Sequence, residues 1–192
     1  MSSRIKWGGI AGIAAAALFI VSAILDQLSP LQRTYDSAAS YLYLGVVVAA
    51  YIAVIIAVLG IHALHRGRAR YGRLGTTGTV LTIAGYLIMA VVRMISMAAG
   101  QELLGNVRIG AGLAVLIGSV LLGVVILRAR MLPWWCGVLL IVAFPLGDVA
   151  NAIFSAAENL LLALLWGSVG VALLARREGA AEPAVTQPAE VG

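Results

Sequence analysis

Charge is what this sequence has least of. Asp, Glu, Lys and Arg make up 11% of its 192 residues, against roughly 25% in ordinary soluble domains. That is too little to cover a water-soluble globule of this size, which excludes a soluble enzyme, a disordered chain and a nucleic-acid-binding domain. Cysteine is nearly absent. Cys136 stands alone, so there is no intrachain disulfide and no cysteine-cluster metal site, and the residue reads as a small buried apolar group. Histidine occurs twice, as His62 and His65, which excludes a four-histidine haem protein. The pair is spaced to share one helical face, but lacks further metal ligands nearby and reads as interfacial. Also missing are the nucleophile elbow, the phosphate loop, the metalloprotease histidine helix and the aspartate-rich prenyl-phosphate motif. Ser22, Ser119 and Ser168 lie in apolar runs with no histidine at comparable depth, so triad chemistry has no support. The balance is against an enzyme, and no cofactor or metal is expected.

What the chain does have is hydrophobic length. Apolar residues are 62%, where roughly 45–50% is usual. A bilayer core about 30 Å thick needs about 20 apolar residues per helix. Six stretches qualify, at about 5–28, 41–64, 74–97, 107–127, 132–152 and 156–175. The expected fold is therefore all-α, a polytopic transmembrane bundle of six spans occupying 1–177 as one domain. The last two spans form 44 residues interrupted only by Asp148, Asn151, Glu158 and Asn159. One helix of that length would overrun the bilayer about twofold, so a break is expected within 147–159, beginning near Pro145. Residues 178–192, rich in Ala, Pro and Glu, read as a disordered tail.

Basic residues near span ends set orientation. With a cytoplasmic N-terminus, the inner side collects Arg4, Lys6, Arg66, Arg68, Arg70, Arg73, Arg128, Arg130, Arg176 and Arg177, ten of the 13 Lys and Arg. Only Arg33, Arg93 and Arg108 fall outside, with Asp26, Asp36, Glu102, Asp148 and Glu158. Both termini are thus expected in the cytoplasm. The basic loops serve as orientation signals that also meet anionic headgroups, without a nucleic-acid partner. Trp7, Tyr71, Trp134 and Trp135 are expected at the inner interface, and Tyr41 and Tyr43 at the outer one. Cleavage after Val21-Ser22-Ala23 as a signal peptide is disfavoured, because the apolar run from Trp7 to Leu25 exceeds the usual 7–15 residues.

Small residues recur at helical spacing: Gly8, Gly12 and Ala16; Gly78 and Gly85; Ala114 and Gly118; Ser119 and Gly123; Ser168 and Ala172. Helices in lipid associate through such close contacts. They serve intramolecular packing or, alternatively, a homo-oligomer or membrane partner. Thr76, Thr77, Thr79 and Thr82 are expected to bond back to helix carbonyls.

The candidate site lies at the outer ends. Asp26, Arg93, Glu102, Asp148, Asn151, Glu158 and Asn159, with Arg108 nearby, would converge on an outward-facing polar vestibule if the bundle is compact. Arg93 is about 28 Å along its span, and ionisable groups at such depth face a cavity, an ion path or a partner charge. The competing reading is that these residues mark helix exits and Arg93 snorkels to the headgroups.

The segment Leu127–Leu140, LRARMLPWWCGVLL, together with WGGIAGIAAAA at the start and the connector RGRARYGRLG, resembles uncharacterised bacterial multi-pass membrane proteins. In these, a basic turn followed by Leu-Pro-x-Trp opens the fifth of six helices. The resemblance implies a bacterial inner (plasma) membrane bundle and carries over no site residue. Three functional readings stand open. The first is an accessory or structural bundle. The second is a small-molecule transporter or its substrate-binding membrane subunit. The third is an intramembrane enzyme using outer carboxylates on a lipid-like substrate.

Overall fold

In the computed structural model the described residues are 3–28, 37–66, 71–100, 104–151, 154 and 156–178, without the side chains of residues 148, 151, 177 and 178. Glu102 and residues 179–192 of the expected tail lie outside them. Six helices follow one another: α1 (Ser3–Leu28), α2 (Ala38–His65), α3 (Gly72–Ala99), α4 (Gly105–Ala129), α5 (Trp134–Asn151) and α6 (Ala157–Glu178). The described chain is all-helical, and five helices are long and apolar enough to cross a bilayer. With no water in hydrocarbon, backbone amides satisfied inside each helix are what such sequences require. Ser37 caps α2 by accepting the Ser40 amide at 3.2 Å. At the far end of α3, Gly100 takes a left-handed conformation with φ 67°, which glycine adopts without a steric penalty.

α5 departs from expectation. It has 18 residues and carries Pro145 inside it. At 1.5 Å per residue it is about 27 Å long, and its apolar part, Trp134–Gly147, is shorter still. The break to α6 does not begin at Pro145. Pro145 deprives the Ile141 carbonyl of its helical donor, yet the helix runs six residues further, and the chain reopens as α6 at Ala157.

Each helix packs on its sequence neighbours, α6 closes the ring against α1, and α2 touches α6 across it. Small residues make this ring tight. A Cβ built on Gly8 would stand 2.5 Å from the Gly60 Cα of α2, and one on Gly12 would stand 2.8 Å from the Gly170 Cα of α6. One ladder of small residues on α1 thus serves two partners. Gly78 and Gly85 of α3 meet α4 at Gly118 and Ala111, and Gly123 meets Gly137 of α5. These glycines are used within the chain. The outer surface is apolar instead, with Val80, Leu87, Leu113, Ile117, Leu164 and Val171 exposed, as hydrocarbon contact demands.

Short connections make successive helices antiparallel, so the bundle has two chemically different ends. Arg4, Lys6, Arg66, Arg73, Arg128, Arg130 and Arg176 gather at one, here the arginine-rich end. Asp26, Arg93, Arg108 and Glu158 mark the other, the acidic end. Trp7 and Trp134 are exposed at the arginine-rich end, at 61% and 69%. Tyr71 and Tyr43 break the interfacial pattern. Tyr71 is buried, because Thr79 and His62 engage its hydroxyl. Tyr43 is half-buried and meets Asn159.

Candidate functional site

At the acidic end, described candidate side chains from three helices come together. Asp26 sits in the last turn of α1, Arg93 two turns before the end of α3, and Glu158 and Asn159 in the first turn of α6. All four are half-buried. Tyr43 of α2 joins them. It shares a hydrogen bond with the Asn159 side chain and lies within electrostatic reach of Arg93, Asp26 and Glu158. Eight residues deeper on α2, about 12 Å further along the axis, is Tyr51. It is 7% exposed, its hydroxyl is hydrogen-bonded with Arg93, and Glu158 also acts on it. The Arg93 side chain therefore reaches inward, toward a phenol at mid-depth.

Below the charges is an aromatic layer. Phe19 of α1 lies 6.4 Å from Tyr51, Tyr51 lies 5.3 Å from Tyr86 of α3, and Tyr86 lies 6.3 Å from Phe144 of α5, measured between ring centroids. Trp166 of α6 sets its edge against Tyr86 at 6.4 Å. The Tyr86 hydroxyl and the indole N–H are near one another but short of full hydrogen-bond geometry. Five rings from five helices thus floor the polar cluster, and edge-to-face and offset contacts at such distances favour a fixed arrangement. Sequence reasoning missed this layer. The available signal was the position of Tyr51, Tyr86 and Trp166 in mid-span, against the interfacial preference of polar-tipped aromatics.

Beside the cluster, a cavity of about 280 Å³ opens among α3, α4, α5 and α6. Arg108 and Glu158 are its charged walls. Met89, Leu113, Leu116 and Phe144 are among its apolar ones. Two glycines shape it. Gly112 has nothing within 4 Å of where its Cβ would be, and Gly147 packs under Glu158 with 3.2 Å between such a Cβ and the Glu158 Cγ. Ile109 and Leu113, also on its rim, are 61% and 54% exposed on the lateral face of the bundle. The cavity is therefore reached from the side as well as from the end. Its two charged walls are of opposite sign, a guanidinium and a carboxylate, and the other lining side chains are apolar.

Comparison with known protein families, curated proteins and solved structures finds no match to this chain. The site is accordingly read from its own chemistry. Arg93, Asp26, Glu158 and Asn159 surround Tyr43, Arg93 and Glu158 also act on Tyr51, and Glu158 faces the cavity with Arg108. Glu102 and the side chains of Asp148 and Asn151 lie outside the described residues. No three His, Cys, Asp or Glu side chains come together as a metal site among the described residues.

At the arginine-rich end, the two histidines flank Tyr71. His62 Nδ1 lies 3.0 Å from the Tyr71 hydroxyl, which lies 2.6 Å from the Thr79 hydroxyl. The His65 ring stacks on Tyr71 at 5.5 Å, and its Nδ1 donates to the Ile61 carbonyl at 2.8 Å. Only Thr76 bonds back as expected, to the Gly72 carbonyl at 3.2 Å. Thr79 serves Tyr71 instead, and the buried Thr82 hydroxyl has no hydrogen-bond partner, because Gly118 of α4 presses directly against it.

Proposed function

We propose that this integral membrane bundle is a membrane-embedded binding protein for a small zwitterionic amphiphile, the substrate-binding class among the readings above. The observation that carries the proposal is the cavity between Arg108 and Glu158, oppositely charged groups set in an enclosure otherwise mostly apolar and open toward lipid. Its volume is near the lower end of the roughly 300–1,000 Å³ usual for ligand pockets, which suits a headgroup rather than a whole lipid. The positive-inside distribution supports an orientation with both termini in the cytoplasm and the cavity in the outer leaflet of the plasma membrane.

The test is a thermal-stability titration of the purified protein in detergent with dihexanoyl-phosphatidylethanolamine. Dihexanoylglycerol, with the same chains and no charge, is the comparison. At about a hundredfold excess over Kd, a ligand of the folded state stabilises by about 2.7 kcal/mol, or about 5–10 °C for a chain of this size. Arg108→Gln or Glu158→Gln should abolish the shift while leaving the unliganded protein folded. Equal shifts with both compounds, or shifts that survive both substitutions, would remove the proposal. Co-purification with another membrane protein and no ligand response would favour the accessory bundle.

A further inference from the structure

At the opposite end of the molecule a second concavity has a different chemistry. A groove of about 470 Å³ runs between the start of α1 and the end of α2. Arg4, Arg66, His62 and Ser3 supply its polar rim, Ile56, Leu59 and Ala63 its apolar wall, and Trp7 stands beside them. None of the lining residues is acidic. Leu59 lies about 10 Å and Ile56 about 15 Å along the helix from Arg66, and both are partly exposed to the bundle's lateral surface. Polarity thus falls off along the groove over the depth at which a bilayer changes from headgroup to acyl chain. The Gly8–Gly60 contact holds α1 against α2 beside it, so backbone packing fixes the two helices between which the groove lies. The Tyr71 hydroxyl takes His62 Nδ1, and the ring nitrogen left for a ligand is Nε2.

We infer that this groove seats one anionic phospholipid, its phosphate between Arg4 and Arg66 and one acyl chain along Ile56 and Leu59. Charge complementarity selects this occupant. Two guanidiniums on one groove match phosphate oxygens better than a choline headgroup of no net charge, and Trp7 is at home at headgroup depth. Another groove at this end, between α4 and α5 and of about 460 Å³, presents a single cation, Arg130. Two cations, a hydroxyl and an imidazole distinguish the α1–α2 groove from it.

The experiment is native mass spectrometry of the full chain in detergent with phosphatidylglycerol or phosphatidylcholine of identical chains. One phosphatidylglycerol should bind in clear preference. In the double variant Arg4→Gln/Arg66→Gln its affinity should fall about 30-fold, the size expected for two arginines beside an anionic surface. Arg73→Gln/Arg176→Gln, which removes the same charge elsewhere at that end, should leave binding unchanged. Millimolar inorganic phosphate should not displace the lipid; displacement would show a phosphate-ion site and overturn the assignment. Equal binding of both lipids, or wild-type binding by Arg4→Gln/Arg66→Gln, would overturn it too. A second reading leaves the groove intact. In nanodiscs, the fluorescence lost in Trp7→Phe isolates Trp7, which brominated phosphatidylglycerol should quench more than brominated phosphatidylcholine at equal mole fraction. Equal quenching would contradict a seated anionic lipid.

Discussion

Gly8→Ala adds one methyl group where α1 crosses α2. The new Cβ would stand 2.5 Å from the Gly60 Cα and 3.2 Å from the Gly60 nitrogen. Carbon atoms in good contact are about 3.5–4.0 Å apart, so the shortfall is about 1 Å. Every atom it meets belongs to backbone, and no rotamer change relieves it. Nor can α1 simply step away. On its other side Gly12 already faces the Gly170 Cα and the Trp166 carbonyl, at 2.8 and 2.9 Å from where its Cβ would be. Overpacking of this kind costs about 1–3 kcal/mol, against a gain of up to about 1 kcal/mol for alanine over glycine in a helix. The expected net loss is about 1–2 kcal/mol.

Gly45→Ala in α2 is the matched control, since nothing lies within 4 Å of its Cβ position. It should be neutral or stabilising by up to about 1 kcal/mol. Thermal unfolding in detergent reads both. Gly8→Ala should lower Tm by about 2–8 °C and Gly45→Ala should hold or raise it. The two Gly→Ala changes moving Tm in the same direction by the same amount would refute the claim that backbone contact at Gly8–Gly60 holds α1 in place.

Three further substitutions address the two ends. Arg93→Leu strips the partner from the buried Tyr51 hydroxyl and should cost about 1–3 kcal/mol of stability, most of it recovered when Tyr51→Phe is added; an unchanged Tm in Arg93→Leu would deny the buried pairing. Gly112→Leu projects into the cavity from a position with open space around it, so it should block the phosphatidylethanolamine-dependent shift without lowering Tm in the absence of ligand. Burial raises the Tyr71 pKa above its ordinary 10.0, with the Thr79 hydrogen bond acting the other way. Because the folded state holds the neutral phenol, that contribution is full below pH 10 and is lost as pH rises through the raised value. Tyr71→Phe should therefore flatten the alkaline fall in Tm, and an unaltered slope would assign it to other groups.

Fold class was legible because hydrocarbon imposes one requirement on every span, and composition registers it directly. The charged residues at the acidic end were legible for the same reason, since ions at membrane depth are conspicuous. Direction was not. Arg93 between apolar neighbours reads equally as snorkelling or inward-reaching until Tyr51 is placed beneath it on another helix. Pro145 misled because a proline inside a helix removes one hydrogen bond without ending it when packing holds both sides. Gly8 and Gly12 looked like one seam, yet a four-residue step turns the helix by about 400°, and the remaining 40° is enough to give them different partners. The aromatic layer went unseen because its five members are far apart in sequence and only the closed ring of helices brings them together.

The same layer constrains what the cavity can do. Between Tyr51, Tyr86 and Trp166 and the arginine-rich end, the core is filled by Val54, Ala57, Val58, Ile61, Leu122, Ile126, Leu140, Val169 and Leu173, all buried. Thr82 and Ser119 are buried polar groups at that depth, and Thr82 is wedged against Gly118 in the α3–α4 contact. A charged solute held by Arg108 and Glu158 would have to cross this apolar packing without hydrogen-bond partners, at a cost of several kcal/mol for each polar group left unsatisfied. Under the proposed reading, capture and lateral release fit this closed packing better than passage through it. Transport by this chain would require α1 to part from α2 or α6, and the glycine contacts at Gly8 and Gly12 oppose that motion. The binding role we propose, with its ligand handed to a separate translocating or modifying protein, fits both the cavity and the closed core.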